Sequence, residues 1–124
     1  MISALPTARD ARLTFTAPPP GFAPLTDFDL AAVDGAAGLY TLRDTAGADL
    51  RLFLLDPTYY VPEYLPAVAD EDLAALGASS VAEVDVYVVA NISDGAPVVN
   101  LLAPIVVNPV SGSATQLILS LIHI

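Results

Sequence analysis

The sequence has 124 residues, enough for one domain that buries a hydrophobic core. It contains no cysteine and a single histidine, His123, which excludes a disulfide framework and argues against a three-histidine zinc site or a Ser-His-Asp triad. Fourteen acidic residues against four arginines, with no lysine, give a net charge of −10, which disfavours nucleic-acid binding and indicates either a basic partner or simple solubility.

The first half of the chain predicts four β-strands separated by turns that contain glycine or proline. In these segments apolar residues tend to alternate with polar ones, which is the pattern of a strand with one buried face. The strands are expected over residues 12–16, 25–33, 39–43 and 50–55. Residues 1–11 are weakly patterned, and we expect them to be frayed.

Residues 56–64 form an aromatic segment with two prolines and three tyrosines. Because proline restricts the backbone, the segment is expected to be a stiff loop. Tyr59, Tyr60 and Tyr64 each combine an apolar ring with a polar hydroxyl, which suits a half-buried surface. Two interpretations stay open: the rings anchor the loop to the core, or they present an aromatic surface to a partner.

A helical insertion and two further strands follow, with the apolar run described in the next paragraph between those strands. Three acidic residues from Asp70 precede an apolar stretch that ends at Gly77, which predicts a short helix because acids favour a helix N-terminus and glycine favours its end. Ser80 and Glu83 have capping-box spacing, which predicts another helical turn. With strands over 84–92 and 115–119, the pattern predicts an all-β, mainly antiparallel fold: a small barrel- or sandwich-like curled sheet with a helical insertion at 70–83.

The longest apolar run covers residues 98–109 and has Pro104 at its middle. A continuous apolar run is typical of a strand buried on both faces, whereas proline cannot donate to the ladder of a central strand. The sequence therefore predicts two strand segments, 98–102 and 105–107, joined at a fixed kink. Two interpretations remain: a core strand with an edge bulge, or an apolar edge that stays open to a partner.

The sequence lacks the motifs of catalysis and of metal binding. Its acidic run at Asp70 occupies adjacent helical positions that point in different directions, and it does not match a calcium-binding loop. The glycines are isolated, no serine lies in a Gly-x-Ser-x-Gly setting, and there is no basic stripe. No apolar run approaches the ~20 residues of a membrane span, and the N-terminus does not resemble a signal peptide. We therefore expect a cytoplasmic interaction domain that is not an enzyme and needs no cofactor or metal.

Four blocks carry a resemblance to a known family: Pro-Gly-Phe at 20–22, Leu-Phe-Leu-Leu-Asp-Pro at 52–57, Tyr64, and Asn-Leu-Leu-Ala-Pro-Ile-Val-Val-Asn-Pro at 100–109. The last block is the specific signal. In order and spacing they resemble the FliW flagellar assembly factor family from about residue 13 to residue 119. The short region before residue 13 departs from the family pattern, and residues 120–124 are expected to be an atypical tail on a single domain covering 1–124.

The resemblance implies a non-enzymatic regulator that binds two proteins. Family members bind flagellin and, alternatively, the RNA-binding translational repressor CsrA, so that the amount of free flagellin controls flagellin translation. The resemblance implies no direct contact with nucleic acid or membrane, and we expect a monomer. The alternatives are a small-molecule-binding barrel, which would need a pocket with convergent polar groups, and a purely structural β domain.

The candidate partner-binding residues fall in the kinked run, in the aromatic segment and on an acidic face. The predicted set is Pro104, Ile105, Val106 and Asn100 in the kinked run, Tyr59, Tyr60 and Tyr64 in the aromatic segment, and Glu63, Glu71 and Asp72 on the acidic face. Whether the residues of the kinked run can contact a partner depends on the solvent exposure of Ile105. If that side chain faces the core, the binding surface lies elsewhere.

Overall fold

The chain folds into a closed β-barrel, which a computed structural model describes for residues 10–18, 24–45, 47, 51–61, 63–64, 66–93 and 96–119. In these ranges the strands are β1 (Asp10–Phe15), β2 (Asp27–Ala32), β3 (Leu39–Asp44), β4 (Arg51–Leu55), β5 (Asp85–Ser93), β6 (Ala96–Val107) and β7 (Ser113–Gln116). The helices are α1 (Pro57–Tyr60), α2 (Asp70–Ala75) and a 3-10 turn (Val81–Glu83).

The barrel closes by joining its first and last strands in parallel. Each strand pairs antiparallel with the next one along the chain. β1 then lies parallel to β7, with Thr14 beside Ser113 and Phe15 beside Ala114. The predicted all-β, mainly antiparallel barrel is confirmed. Closure in this way pairs the edges that an open sheet would expose.

The barrel interior is filled by apolar side chains from alternate positions of the strands. They are Leu13, Phe15, Phe28, Leu30, Leu42, Leu54, Tyr87, Ile105, Val107 and Ala114. Phe15 and Phe28 meet edge to face, with ring centroids 5.4 Å apart. Side chains fill small barrels in this way, and a filled interior counts against the alternative of a ligand-binding barrel.

Near its C-terminal end the outer face of β6 is also buried, because α2 covers it at Val106. Val106 packs in an apolar cluster with Leu73 and Leu76, while Ile105 points into the barrel. Both Ile105 and Val106 have an exposed fraction of 0%, and Pro104 is buried beside them. Burial on both faces explains the apolar character of residues 103–107. Residues 105–107 do not form an open edge, because β6 pairs there with β5 on one side and with β7 on the other.

Pro104 lies in a bulge of β6, where the sequence predicts an irregularity. Between the pairs Tyr87–Ile105 and Val89–Asn100, β5 contributes a single residue and β6 contributes four. The bulged carbonyl oxygens still find donors: Leu101 accepts from the Tyr64 hydroxyl, Leu102 from the Leu119 amide, Ala103 from the Gln116 side chain and Pro104 from the Leu117 amide. A proline fits this position because the bulge interrupts the ladder with β5.

The remaining predicted elements shift by only a few residues. The Glu83 carboxylate accepts a hydrogen bond from the Ser79 amide at 3.0 Å, so the cap acts one residue before the predicted Ser80. Of the segment expected to be frayed, Asp10 and Ala11 belong to β1. Residues 1–9 and the expected atypical tail 120–124 lie outside the described residues.

Candidate functional site

The aromatic segment begins with a single helical turn where the sequence predicts only a loop. The Asp56 carboxylate accepts hydrogen bonds from the Thr58 amide at 2.9 Å and from the Thr58 hydroxyl at 2.7 Å. Pro57 is the first residue of α1, where its missing N–H costs nothing. The cap and the proline together make α1 form, and this local chemistry is what the loop prediction overlooks.

Tyr59 and Tyr60 point outward from α1. Their exposed fractions are 61% and 49%, and their ring centroids are 6.5 Å apart. The Tyr60 hydroxyl donates a hydrogen bond to the Ala37 carbonyl at 2.8 Å, and the Tyr59 ring lies directly over Gly38. The turn between β2 and β3 therefore holds both rings in place while leaving much of their surface open.

Tyr64 joins the aromatic segment to the bulge in β6. Its hydroxyl donates to the Leu101 carbonyl at 2.5 Å, and its ring packs on the outer face of the barrel near Leu55 and Val88. Burial raises the pKa of Tyr64 above its ordinary value. The two regions singled out in the sequence thus meet at this residue, although here the contact anchors the segment to the barrel.

The other predicted site residues are exposed or partly exposed. Asn100 is exposed, and its side chain accepts a hydrogen bond from the Leu102 amide at 3.0 Å, which shapes the bulge. Glu63 and Glu71 are exposed and Asp72 is half-buried. Glu71 and Asp72 belong to the first turn of α2, where negative charge stabilises the helix N-terminus.

A surface cleft of about 530 Å³ opens beside α1, between the 3-10 turn and the neighbouring ends of β3 and β5. The register of the sheet builds it: Leu39 and Val88 both pair with Leu55, so the residue that follows β4 reaches the start of β5. The lining residues are Tyr40, Asp56, Pro57, Thr58, Tyr64, Pro66, Val81, Val84, Asp85, Val86 and Tyr87.

The cleft is negatively charged and has aromatic walls. Burial raises the pKa of Asp85 above its ordinary value, and the neighbouring Asp56 carboxylate raises it further. Burial also raises the pKa of Tyr40 and of Tyr87, whose rings meet edge to face with centroids 5.3 Å apart. The described lining includes no arginine, so the carboxylates face each other without a cation from the cleft walls. Such a surface attracts a cationic group and repels a phosphate.

Of this cleft the sequence predictions named only Tyr64 and missed both carboxylates and the other two tyrosines. Asp56 had a signal, since an acidic residue before proline marks a helix start. Tyr40, Asp85 and Tyr87 had none, because each lies in a strand whose pattern indicates only alternation. The pairing of β3 with β4 and of β4 with β5 brings these residues together. That register cannot be read from the sequence of a single strand.

Other kinds of site find no support in the described part of the chain. Its histidine, aspartate and glutamate side chains form no group of three or more that could hold a metal ion. Nor does it contain a helix with the length and apolar character needed to cross a membrane.

Comparison with known proteins gives consistent matches. A family model described as FliW protein matches residues 2–123. The flagellar assembly factor FliW of Symbiobacterium thermophilum is 32% identical over 102 residues, which cover 80% of this chain and 74% of that protein. The factor of the same name from Desulfitobacterium hafniense is 38% identical over 80 residues, covering 63% of this chain and about half, 53%, of that protein.

A third relative and a solved structure extend the likeness. The flagellar assembly factor FliW of Thermotoga neapolitana is 32% identical over 103 residues, covering 81% of this chain and 69% of that protein. A crystal structure of the flagellar assembly factor FliW superposes with a TM-score of 0.81 at 27% identity, covering 89% of this chain and 78% of that one. The similarity therefore extends to the barrel as well as to the sequence.

Proposed function

This chain belongs to the FliW family of flagellar assembly factors, and from that premise we propose that it binds flagellin and, in alternation, the translational repressor CsrA. In this role it is a cytoplasmic regulator and not an enzyme. Scarce flagellin leaves the factor free to sequester the repressor, so that flagellin messenger RNA is translated. Newly made flagellin then occupies the factor and releases the repressor.

The exposed pair Tyr59 and Tyr60 is the observation that best supports a protein-binding role. The two rings are held by the β2–β3 turn yet remain 61% and 49% exposed. Rigid aromatic side chains of this kind are enriched among the residues that dominate binding energy at interfaces. Because Glu63 is exposed in the same segment, a partner that covers the rings also meets negative charge.

The charge of the chain supports a regulator that opposes RNA binding without touching RNA. A net charge of −10 speeds encounter with a basic protein and makes it costly to bring phosphate close to the complex. The filled interior counts against a ligand-binding barrel, and the exposed aromatic pair favours protein binding over a purely structural domain.

Size-exclusion chromatography of the purified protein with flagellin, and separately with the repressor, tests the proposal. We expect co-elution with each partner at micromolar concentration and weaker binding at higher salt. Flagellin should displace the repressor from a preformed complex. Co-elution with neither partner would refute the proposed function.

A paired variant locates the binding surface. Replacing both Tyr59 and Tyr60 with serine should weaken binding at least about tenfold, the range expected for truncating interface hot spots. Val110→Ser is the matched control, because that side chain is 94% exposed in the turn between β6 and β7. Equal binding by both variants would move the surface away from α1, and circular dichroism establishes that each variant is folded.

A further inference from the structure

Contacts within the chain hold several side chains of the cleft beside α1. The Tyr64 ring is held by the hydrogen bond to Leu101, and Tyr40 is packed edge to face on Tyr87. Asp56 is held by Thr58, but both of those hydrogen bonds fall on Oδ1, and Oδ2 accepts none from a described residue. A preformed site of this kind loses little entropy when it binds a ligand.

The two carboxylates of the cleft have no positive neighbour among its described lining. The Asp85 side chain makes no hydrogen bond or ion pair with another described residue, and the Asp56 carboxylate is a like charge that acts on it. None of the three described arginines lines the cleft: Arg12 pairs with Asp29 at 2.7 Å, Arg51 lies over the Phe53 ring, and Arg43 is on β3 outside the lining. A cation supplied from outside the chain would therefore relieve the repulsion in the cleft.

We propose that this cleft receives an arginine side chain of a protein partner, with its guanidinium group at Asp56 and Asp85. The inference rests on the proposed function, since it names the chemical group that a partner presents. The guanidinium forms charge-assisted hydrogen bonds to the carboxylates and lies against the tyrosine walls of the cleft. The flanking residues of the partner rest on the apolar rim formed by Val81 and Pro66.

Arginine fits this cleft better than lysine does. Its planar group stacks on aromatic rings, is weakly hydrated and offers several donors to two separate carboxylates, whereas an ammonium group is compact and strongly hydrated. The cleft is open to solvent and has a volume of about 530 Å³, which is within the size range of ligand sites. It therefore leaves room for the residues on either side of the arginine.

Titration of the 15N-labelled protein with the peptide acetyl-Ala-Arg-Ala-amide tests the inference without either proposed partner. We expect chemical-shift changes concentrated at the amides of Thr58, Asp85 and Tyr87. The same peptide with citrulline, which has the shape of arginine without its charge, should bind at least about tenfold more weakly. Equal binding of the two peptides, or no shift change at tens of millimolar peptide, would overturn the proposal.

Two conservative variants and one control assign the effect to the cleft. Asp85→Asn and Asp56→Asn each remove one charge and should weaken arginine-peptide binding about tenfold. Asparagine remains a good N-cap, so the second variant keeps α1 in place. Asp34→Asn removes an equal charge from the exposed turn between β2 and β3, outside the cleft, and should leave binding unchanged. A loss as large in this control would show that only net charge matters and would overturn the site.

The peptide titration and the partner chromatography test the two proposals separately, so one proposal can fail while the other stands. Peptide binding without co-elution of flagellin or repressor refutes the proposed function and leaves the arginine site standing. Co-elution that is equally strong for the wild type and for Asp85→Asn, with no peptide binding, refutes the arginine site and leaves the proposed function standing. A lysine peptide that binds as tightly as the arginine peptide contradicts the preference for a planar group.

Discussion

Truncation of Ile105 tests the packing of β6 most directly. The side chain has an exposed fraction of 0% and belongs to the cluster that fills the barrel. Ile105→Ala removes three buried carbon atoms, which contribute about 2.5 kcal/mol at ~0.8 kcal/mol per methylene. Incomplete relaxation around the cavity adds on the order of 1 kcal/mol, so the free energy of unfolding should fall by about 3–4 kcal/mol.

The chain supplies a matched control of the same residue type. Ile118 is 72% exposed just beyond β7, and Ile118→Ala should change the free energy of unfolding by less than about 0.5 kcal/mol. Urea denaturation followed by circular dichroism measures both variants. Since a domain of this size has roughly 5–15 kcal/mol of stability in total, Ile105→Ala should remain folded but clearly weakened.

One outcome would refute the assignment of Ile105 to the core. If Ile105→Ala loses no more stability than Ile118→Ala but loses partner binding, then the side chain faces a partner and the packing of β6 described above is incorrect. A large loss of stability with partner binding retained at low temperature would show that this residue supports the fold and does not itself make the contact.

Three further substitutions test separate contacts. Tyr64→Phe removes the hydroxyl that donates to the bulge, and thermal denaturation should show a loss of about 1 kcal/mol; no change would mean that water replaces the bond. Gly38→Ala should destabilise the protein by at least about 1 kcal/mol more than Gly35→Ala in chemical denaturation, because both residues have positive φ but only at Gly38 would the added Cβ lie 2.9 Å from a tyrosine ring atom. Asp85→Asn should raise the melting temperature at pH 7. The folded-state pKa of this carboxyl is raised, so the wild type loses stability as pH rises above 3.8. The difference between the proteins should vanish below that pH, and a difference that persists there would contradict the raised pKa.

The strands were predictable because their signals are local. Alternation of apolar and polar residues marks β2 and β3, and Gly35 and Gly38, both at positive φ, mark the turn between them. The loop prediction over 56–64 missed α1 because the cap at Asp56 and the first-turn proline define only four helical residues. Short elements of this kind depend on one or two contacts and leave little pattern.

Sequence periodicity located the irregularity at Pro104 but not the direction of the side chains around it. A proline without an N–H must interrupt a ladder wherever it lies, so the bulge followed from covalent chemistry. Whether Ile105 faced a partner or the core depended on which face of β6 it occupies. Its neighbours in the barrel interior come from strands that are distant in the sequence, and no local pattern reports such contacts.

By itself the sequence determined the all-β class, the turn positions, the place of the bulge and, through its specific blocks, the family. Each of these depends on residue types at short separations, where backbone restrictions and alternation act directly. Only the tertiary structure decided that Ile105 is core and that Asp56 and Asp85 share one cleft with Tyr40. Strand register and helix packing set those neighbours, and both follow from the summed burial of many residues instead of from any one segment.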